Sequence, residues 1–388
     1  MITRTAVDKA KAMAEKFPVI VFTGPRQSGK TTLAKMSFPT YRYVSLENPQ
    51  NLEFALTDPR GFLAIYDCYV IIDEVQNAPE LFSYIQQIVD ESNVAGHYIL
   101  SGSQNFLLLE KITQSLAGRV YLMELLPLNH SEISQVKETT IEEELFAGSY
   151  PRLYNMEIAP KDFYPGYIKT YVERDVRTIL NVQDIKVFRK LLSLLAHYAG
   201  QQFNASEIAK KLNIDSKTVQ RWMSILETSY IAFTLEPWHT NLPKRVVKTP
   251  KLYFYDTGLL CYLLGIKSKE EIATSSYKGA IFENYVLLEI MKVQNAKGNQ
   301  LNYYYWRDSN QNEIDLLIAD GKKLHCFELK ASLTVRSEHI KALHYLDEFI
   351  TDYQLIHHMV NYFDETQNRT NETIVSWKDL ENFPKFNK

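Results

Sequence analysis

The chain has 388 residues, 45% of them hydrophobic and 23% charged, with a formal net charge of -3. That length exceeds what one hydrophobic core usually organises, so two or three domains are expected, and the near-neutral charge excludes a global pull toward nucleic acid. No run is apolar enough to cross a bilayer, residues 1–16 are unlike a signal peptide, and Cys68, Cys261 and Cys326 lack the spacing of a disulfide framework or zinc cluster, so a cytoplasmic protein with reduced thiols is expected.

Ile2, Ala6, Ala10, Met13 and Ala14 recur at helical spacing and predict a helix over 2–16, leading into the strand Val19–Thr23. Next comes Gly24-Pro25-Arg26-Gln27-Ser28-Gly29-Lys30-Thr31, then Thr32, which matches the phosphate-loop pattern G-x-x-x-x-G-K-[ST] in full. Its glycines permit a tight winding that points amide N–H groups inward, and the following helix adds its positive N-terminal end, so residues 24–32 are the expected cradle for ATP. Lys30 would reach the β- and γ-phosphates and Thr31 would ligate Mg²⁺. Pro39 stops the helix, Tyr41–Leu46 reads as a strand, and short helices follow over 49–56 and 59–66.

Tyr69 to Ile72 is an unbroken apolar run that ends in Asp73-Glu74, as expected of a strand buried on both faces that delivers its last residues to the sheet edge where ligands bind. Asp73 is placed to hold Mg²⁺, and Glu74 to polarise the water that attacks the γ-phosphate. The strand Tyr41–Leu46 is taken as the one inserted between the two motif strands in NTPases with a catalytic glutamate. A helix over 80–92 and a strand over 96–100 follow. Ser103 and Gln104 are candidates to contact the γ-phosphate or the water, with helix N-capping by Ser103 or Ser101 as the alternative. Arg119, in Leu116-Ala117-Gly118-Arg119, is a candidate γ-phosphate sensor or a surface arginine.

The phosphate loop, Ile72-Asp73-Glu74-Val75-Gln76, Leu100-Ser101-Gly102-Ser103 and Leu116-Ala117-Gly118-Arg119 together resemble a prokaryotic AAA-type ATPase family whose members carry a C-terminal domain of unknown function, number 4143. The resemblance covers most of the chain and implies an ATPase of the additional-strand, catalytic-glutamate class.

Residues 163–180 are amphipathic and densely charged. Arg174 or Arg177 would act in trans as a finger on a neighbouring subunit's nucleotide if the protein forms oligomers, the alternative being a solvated face with Glu-Arg pairs. Residues 187–199, 204–212 and 216–226 have helix-turn-helix spacing, with Tyr230–Glu236 as the first strand of a wing. Lys217, Gln220, Arg221 and Ser224 would project from the third helix while Val219, Met223 and Leu226 pack inward, and the basic segment 244–251 would meet phosphates of DNA or RNA; docking of a protein partner is the alternative.

In the last part, Glu283 lies on a helix, and Trp306–Ile318 and Leu324–Lys330 form a hairpin about Asp320-Gly321. A turn centred there sets Glu313 opposite Glu328 and Asp315 opposite Cys326, with Glu313, Asp315, Glu328 and Lys330 on one face as a crowd of unpaired carboxylates that a divalent cation would relieve. The pattern resembles the PD-(D/E)xK nuclease core, which implies Mg²⁺ binding by Asp315 and Glu328, completion of the site by Glu283, and a water- or phosphorane-orienting role for Lys330. A solvent-facing hairpin with salt bridges is the alternative. The expected architecture is α/β: a parallel-sheet P-loop NTPase domain over 1–160, a helical linker and winged-helix module over 161–250, and a nuclease-like α/β domain over 251–388. Two functions follow: an ATPase coupled to nucleic-acid binding or processing, or an ATP-dependent switch that docks a protein, with an inactive C-terminal scaffold.

Overall fold

Five short strands, two of them (β1 and β3) β-branched runs, build the first sheet: β1 (Val19–Thr23), β2 (Arg42–Ser45), β3 (Val70–Asp73), β4 (Tyr98–Ser101) and β5 (Val120–Glu124). The computed structural model that carries them describes residues 2–92, 94–102, 115–172, 185–238 and 247–384. All neighbouring strands are parallel, in the order β2-β3-β4-β1-β5. The strand between the two motif strands β1 and β3 is therefore β4, whereas β2, expected there from its place in the sequence, lies at the sheet edge. The crossover from β2, which carries helices Pro49–Thr57 and Pro59–Ile65, returns the chain beside it as β3.

Alternate residues of the buried strands feed two cores. Val19, Val21, Val70, Ile72, Tyr98 and Leu100 pack with helices Pro49–Thr57, Pro59–Ile65 and Leu81–Ser92. Ile20, Phe22, Ile71 and Ile99 pack with helices Val7–Ala14 and Lys30–Ser37. The helices at 49 and 59 begin as their sequence demands, with proline in the first turn and Asn48 or Asp58 accepting the orphan N–H groups of Gln50 and Gly61, each at 2.9 Å. This compact unit comprises Met1–Leu128 and, later in the chain, Lys292–Asn299, whose Ala296 joins the second core.

The second unit comprises Asn129–Met291 and Gln300–Lys388, so the boundaries expected at 160 and 250 fall inside it. Helices Ile185–Ala196, Ala205–Leu212 and Ser216–Thr228 precede an antiparallel ribbon of β6 (Ala232–Leu235) and β7 (Lys251–Phe254). On the third helix Lys217, Gln220, Arg221 and Ser224 are exposed, while Val219, Trp222, Met223, Ile225 and Leu226 are buried. Helix Lys278–Lys297 follows, then β8 (Tyr303–Arg307), β9 (Glu313–Asp320), β10 (Lys323–Leu329), β11 (Gln354–Asn361), β12 (Gln367–Asn368) and β13 (Glu372–Ser376). They form one mixed sheet in the order β12-β13-β11-β10-β9-β8.

The β9–β10 turn is Gly321-Lys322, with Gly321 at φ 59, so Leu317 and not Asp315 stands opposite Cys326. The register is shifted by two from the expected one, and Glu313 does not face Glu328. Because the shift is even, it leaves every side chain on its expected face. Among the described residues no helix is long and apolar enough to cross a membrane.

Candidate functional site

At the C-terminal end of β1 the chain winds through three positive-φ positions, Gly24 (133°), Gln27 (63°) and Gly29 (93°), before helix Lys30–Ser37 starts. A Cβ on Gly24 would stand 2.3 Å from the Leu125 carbonyl oxygen, so only glycine fits. Buried Arg4 braces the loop from outside, donating to Ser28 O at 2.6 Å and Leu126 O at 2.7 Å. Lys30 is buried and donates to the carbonyls of Gly24 (3.0 Å) and Pro25 (2.7 Å). Its burial lowers the ammonium pKa to about 8, against the opposing pull of Glu74 and Asp73.

Asp73 ends β3 and gathers three hydroxyls. Thr31 Oγ1 and Tyr43 OH each donate to its Oδ2 at 2.9 Å, and Ser101 Oγ donates to its Oδ1. The Tyr43 phenol is pushed up to about 12 by burial and by the Asp73 charge. Glu74 follows in left-handed conformation (φ 55), bonded by Gln76 Nε2, and its carboxyl is raised by burial and by repulsion from Asp73. Thr31 and Asp73 thus meet, while Tyr43 and Ser101 join them from the neighbouring strands β2 and β4; Ser101 stands in the motif 100–103 but is expected from the sequence only as a helix cap, and no sequence pattern marks Tyr43.

The donor set suits a magnesium nucleotide. Thr31 and Asp73 offer only oxygen, the hard-cation preference, and the fully buried Ser28 hydroxyl has no hydrogen-bond partner among the described residues.

Arg119 does not belong to this site. It immediately precedes β5, and its carbonyl accepts from Val19 N at the start of β1, the sheet edge opposite the phosphate loop. Its guanidinium clasps Asp90 (Nη2–Oδ2 2.9 Å). Ser103, Gln104, Arg174 and Arg177 lie outside the described residues, as do Lys244 and Arg245.

The second unit gathers the other expected acids with cations. Lys251, opening β7 and 2% exposed, bonds Glu283 Oε1 at 2.9 Å and also Glu313; Tyr253 donates to Glu283; and Arg307 holds Glu313 Oε2 at 3.0 Å. Lys330 bonds Glu328 Oε1 at 2.7 Å and lies 3.7 Å from Asp315, which also accepts from Leu329 N at 2.8 Å.

Burial and the Asp315 charge push Glu328 up to about 8, and burial with Asp315 raises Glu283 despite Lys251. For Lys251 and Lys330 burial disfavours the charge, but the surrounding acids outweigh it and hold both ammoniums above their ordinary value. The trio whose oxygens lie within 4.8 Å of one another is Glu283, Glu313 and Asp315, without Glu328. Two expectations are corrected. The carboxylates are paired rather than unpaired, and Lys251 is buried in their midst rather than part of a phosphate-facing basic segment. The sequence does not mark Lys251, Tyr253 or Arg307 as site residues: the lysine ends a basic run, although it also opens the apolar stretch Leu252–Phe254.

A family model described as an AAA domain matches residues 16–134, and two domains of unknown function match 138–270 (DUF8612) and 278–380 (DUF4143). The chain is similar to the uncharacterized proteins Rv2008c of Mycobacterium tuberculosis and Mb2031c of Mycobacterium bovis, each 31% identical over 336 residues, 85% of this chain and 74% of the relative. Among solved structures it is similar to a Walker-type ATPase of Pyrococcus abyssi, at 14% identity and TM-score 0.46, over 66% of this chain and 94% of that one. The phosphate loop, the strand-end acids and the match to an AAA domain make the first unit an ATPase-type domain. The chain belongs with these mycobacterial proteins to a family that joins an AAA domain to a C-terminal DUF4143 domain.

Proposed function

We propose that this protein binds ATP with Mg²⁺ and hydrolyses it, and that hydrolysis is coupled to nucleic-acid binding through the second unit. The observation that carries the hydrolysis reading is the 2.9 Å bond between Thr31 and Asp73, with Glu74 the next residue along the chain. Loop amides and Lys30 bind and orient the phosphates, Thr31 and Asp73 would hold Mg²⁺, and Glu74 takes the proton of the attacking water. The metal, when bound, would neutralise charge on the phosphate oxygens.

Lys30→Ala is expected to remove nucleotide binding, measured by titration with a fluorescent ATP analogue. Glu74→Gln is expected to keep binding and lower the turnover rate by at least ~100-fold, the usual worth of a general base. Uptake of nucleotide unchanged in Lys30→Ala would sink this reading.

Coupling to nucleic acid is supported by the exposed Lys217, Gln220, Arg221 and Ser224 on a helix followed by a two-stranded ribbon, the arrangement of a winged helix. ATPase rate with and without double-stranded DNA, single-stranded DNA and RNA, at two salt concentrations, tests it; a rate indifferent to all three removes the coupling. For the nuclease-like core, a specific observation favours the scaffold reading. Lys251 bonds two of the three clustered acids, so a fixed internal cation already relieves the repulsion that would recruit a metal. Cleavage of DNA or RNA with Mg²⁺ or Mn²⁺, lost in Asp315→Ala, would restore the nuclease reading.

A further inference from the structure

On the acid-bearing face of the second unit's sheet, two residues along β11 from Glu328's neighbour Met359, lies a cluster that shares no residue with either site above. His344 closes the helix Ser337–Leu343, Asp347 sits in the one-turn helix Tyr345–Glu348, and His357 is on β11. Asp347 Oδ2 lies 2.8 Å from His344 Nδ1, and its Oδ1 lies 2.7 Å from His357 Nε2. The two imidazole rings face each other with centroids 4.0 Å apart. The ligand atoms of all three residues lie within 4.8 Å of one another. Glu372 stands on β13 directly beside His357, and its Oε2 is 3.6 Å from His344 Nε2, the ring nitrogen turned away from Asp347.

We propose that His344, Asp347 and His357 form a binding site for a zinc-class divalent transition ion, with Glu372 orienting the His344 ring. Two imidazole nitrogens and one carboxylate are a borderline donor set, suited to Zn²⁺ and its neighbours and not to Mg²⁺, which demands an octahedron of oxygens. A tetrahedral ion held at about 2.0–2.1 Å places its ligand atoms about 3.3 Å apart; each ring nitrogen already stands within about half an ångström of that spacing from an Asp347 oxygen, and the whole set lies within 4.8 Å.

The ion replaces the protons now shared between each ring and Asp347. A His344 that binds through Nδ1 carries its proton on Nε2, facing Glu372, which is the carboxylate–histidine–metal relay that fixes a ligand's tautomer. Three protein ligands leave a fourth position for water. The ion would pin the turn 344–348 to β11, because two ligands come from that turn and one from the strand.

The test uses the full chain, stripped with a chelator and held in excess Mg²⁺ so that all-oxygen sites are filled. One equivalent of Co²⁺ is then added and the visible ligand-field absorption recorded. Four-coordinate bands that Zn²⁺ abolishes are expected, retained in Glu283→Gln and Asp73→Asn and lost in His344→Gln and Asp347→Asn, with Zn²⁺ affinity down by more than about 100-fold in the last two and about 10-fold in Glu372→Gln. Should His344→Gln misfold, His344→Cys decides, since a thiolate ligand there adds a near-ultraviolet charge-transfer band to the cobalt spectrum. Absence of Co²⁺ bands in the wild type, their survival in folded His344→Gln, their loss in Glu283→Gln instead, or a His344→Cys spectrum without the charge-transfer band overturns the proposal.

Discussion

Lys30 shows what burial does to a lysine proposed to bind phosphate. With its ammonium pKa near 8, a substantial fraction is neutral in mildly alkaline solution, whereas a bound triphosphate favours the charged form. Nucleotide binding above about pH 8 should therefore take up a proton, seen as a buffer-dependent heat in titration calorimetry, and affinity should fall as pH rises further. A buffer-independent heat at that pH would contradict this. Glu328 gives the complementary case in the second unit. Its pKa is raised from 4.5 to about 8, so across that window the folded protein holds a proton that the unfolded chain releases, and stability falls as pH rises. Glu328→Gln stays neutral throughout. The difference in Tm between variant and wild type should move in the variant's favour from about pH 5 to about pH 8, and a constant difference would mean that Glu328 does not titrate there.

At the scale of elements, buried Asp256 ties three pieces of the second unit together. It caps helix Thr257–Leu264 through Leu259 N (2.8 Å) and accepts from Ser149 N (2.8 Å) and from Tyr164 OH (2.6 Å). Asp256→Ala leaves Leu259 N and Ser149 N buried without this acceptor, while Tyr164 OH keeps the Ala147 carbonyl at 2.8 Å, and should cost about 2–4 kcal/mol in urea unfolding; a cost under about 1 kcal/mol would mean that water replaces the carboxylate. Much of this level was legible in the sequence. The phosphate loop and the proline-led helices carry their signals locally, and the hairpin's two faces follow from the two-residue period of a strand. The pairing across that hairpin was not legible, because Gly321 takes the first turn position and either placement satisfies the alternation. Nor was the position of β4 between β1 and β3, since sheet order is set by crossovers and not by neighbours in the chain. Tyr43 and Ser101 meet Asp73 only through that order, and Lys251 reaches the acids only through the β6–β7 ribbon.

For the whole molecule, the first unit is discontinuous. Its closing segment Lys292–Asn299 brings Ala296 into the core, Asn295 to Glu124, and Gly298 so near Lys9 and Tyr121 that a Cβ would meet Lys9 Cε at 2.2 Å. A chain cut after Leu128 lacks these contacts and should melt at lower temperature than the same chain supplemented with a peptide spanning residues 290–300, measured by near-ultraviolet circular dichroism; equal melting curves would show the segment to be dispensable. The long excursion between Leu128 and Lys292 also bears on how the molecule is made. A ribosome releases most of the ATPase-type unit first, yet that unit lacks one piece of its wall until most of the polypeptide has emerged. Nascent chains stalled before Lys292 should consequently be cut by proteases near the N-terminal helix Val7–Ala14, and those stalled well beyond Asn299 should resist.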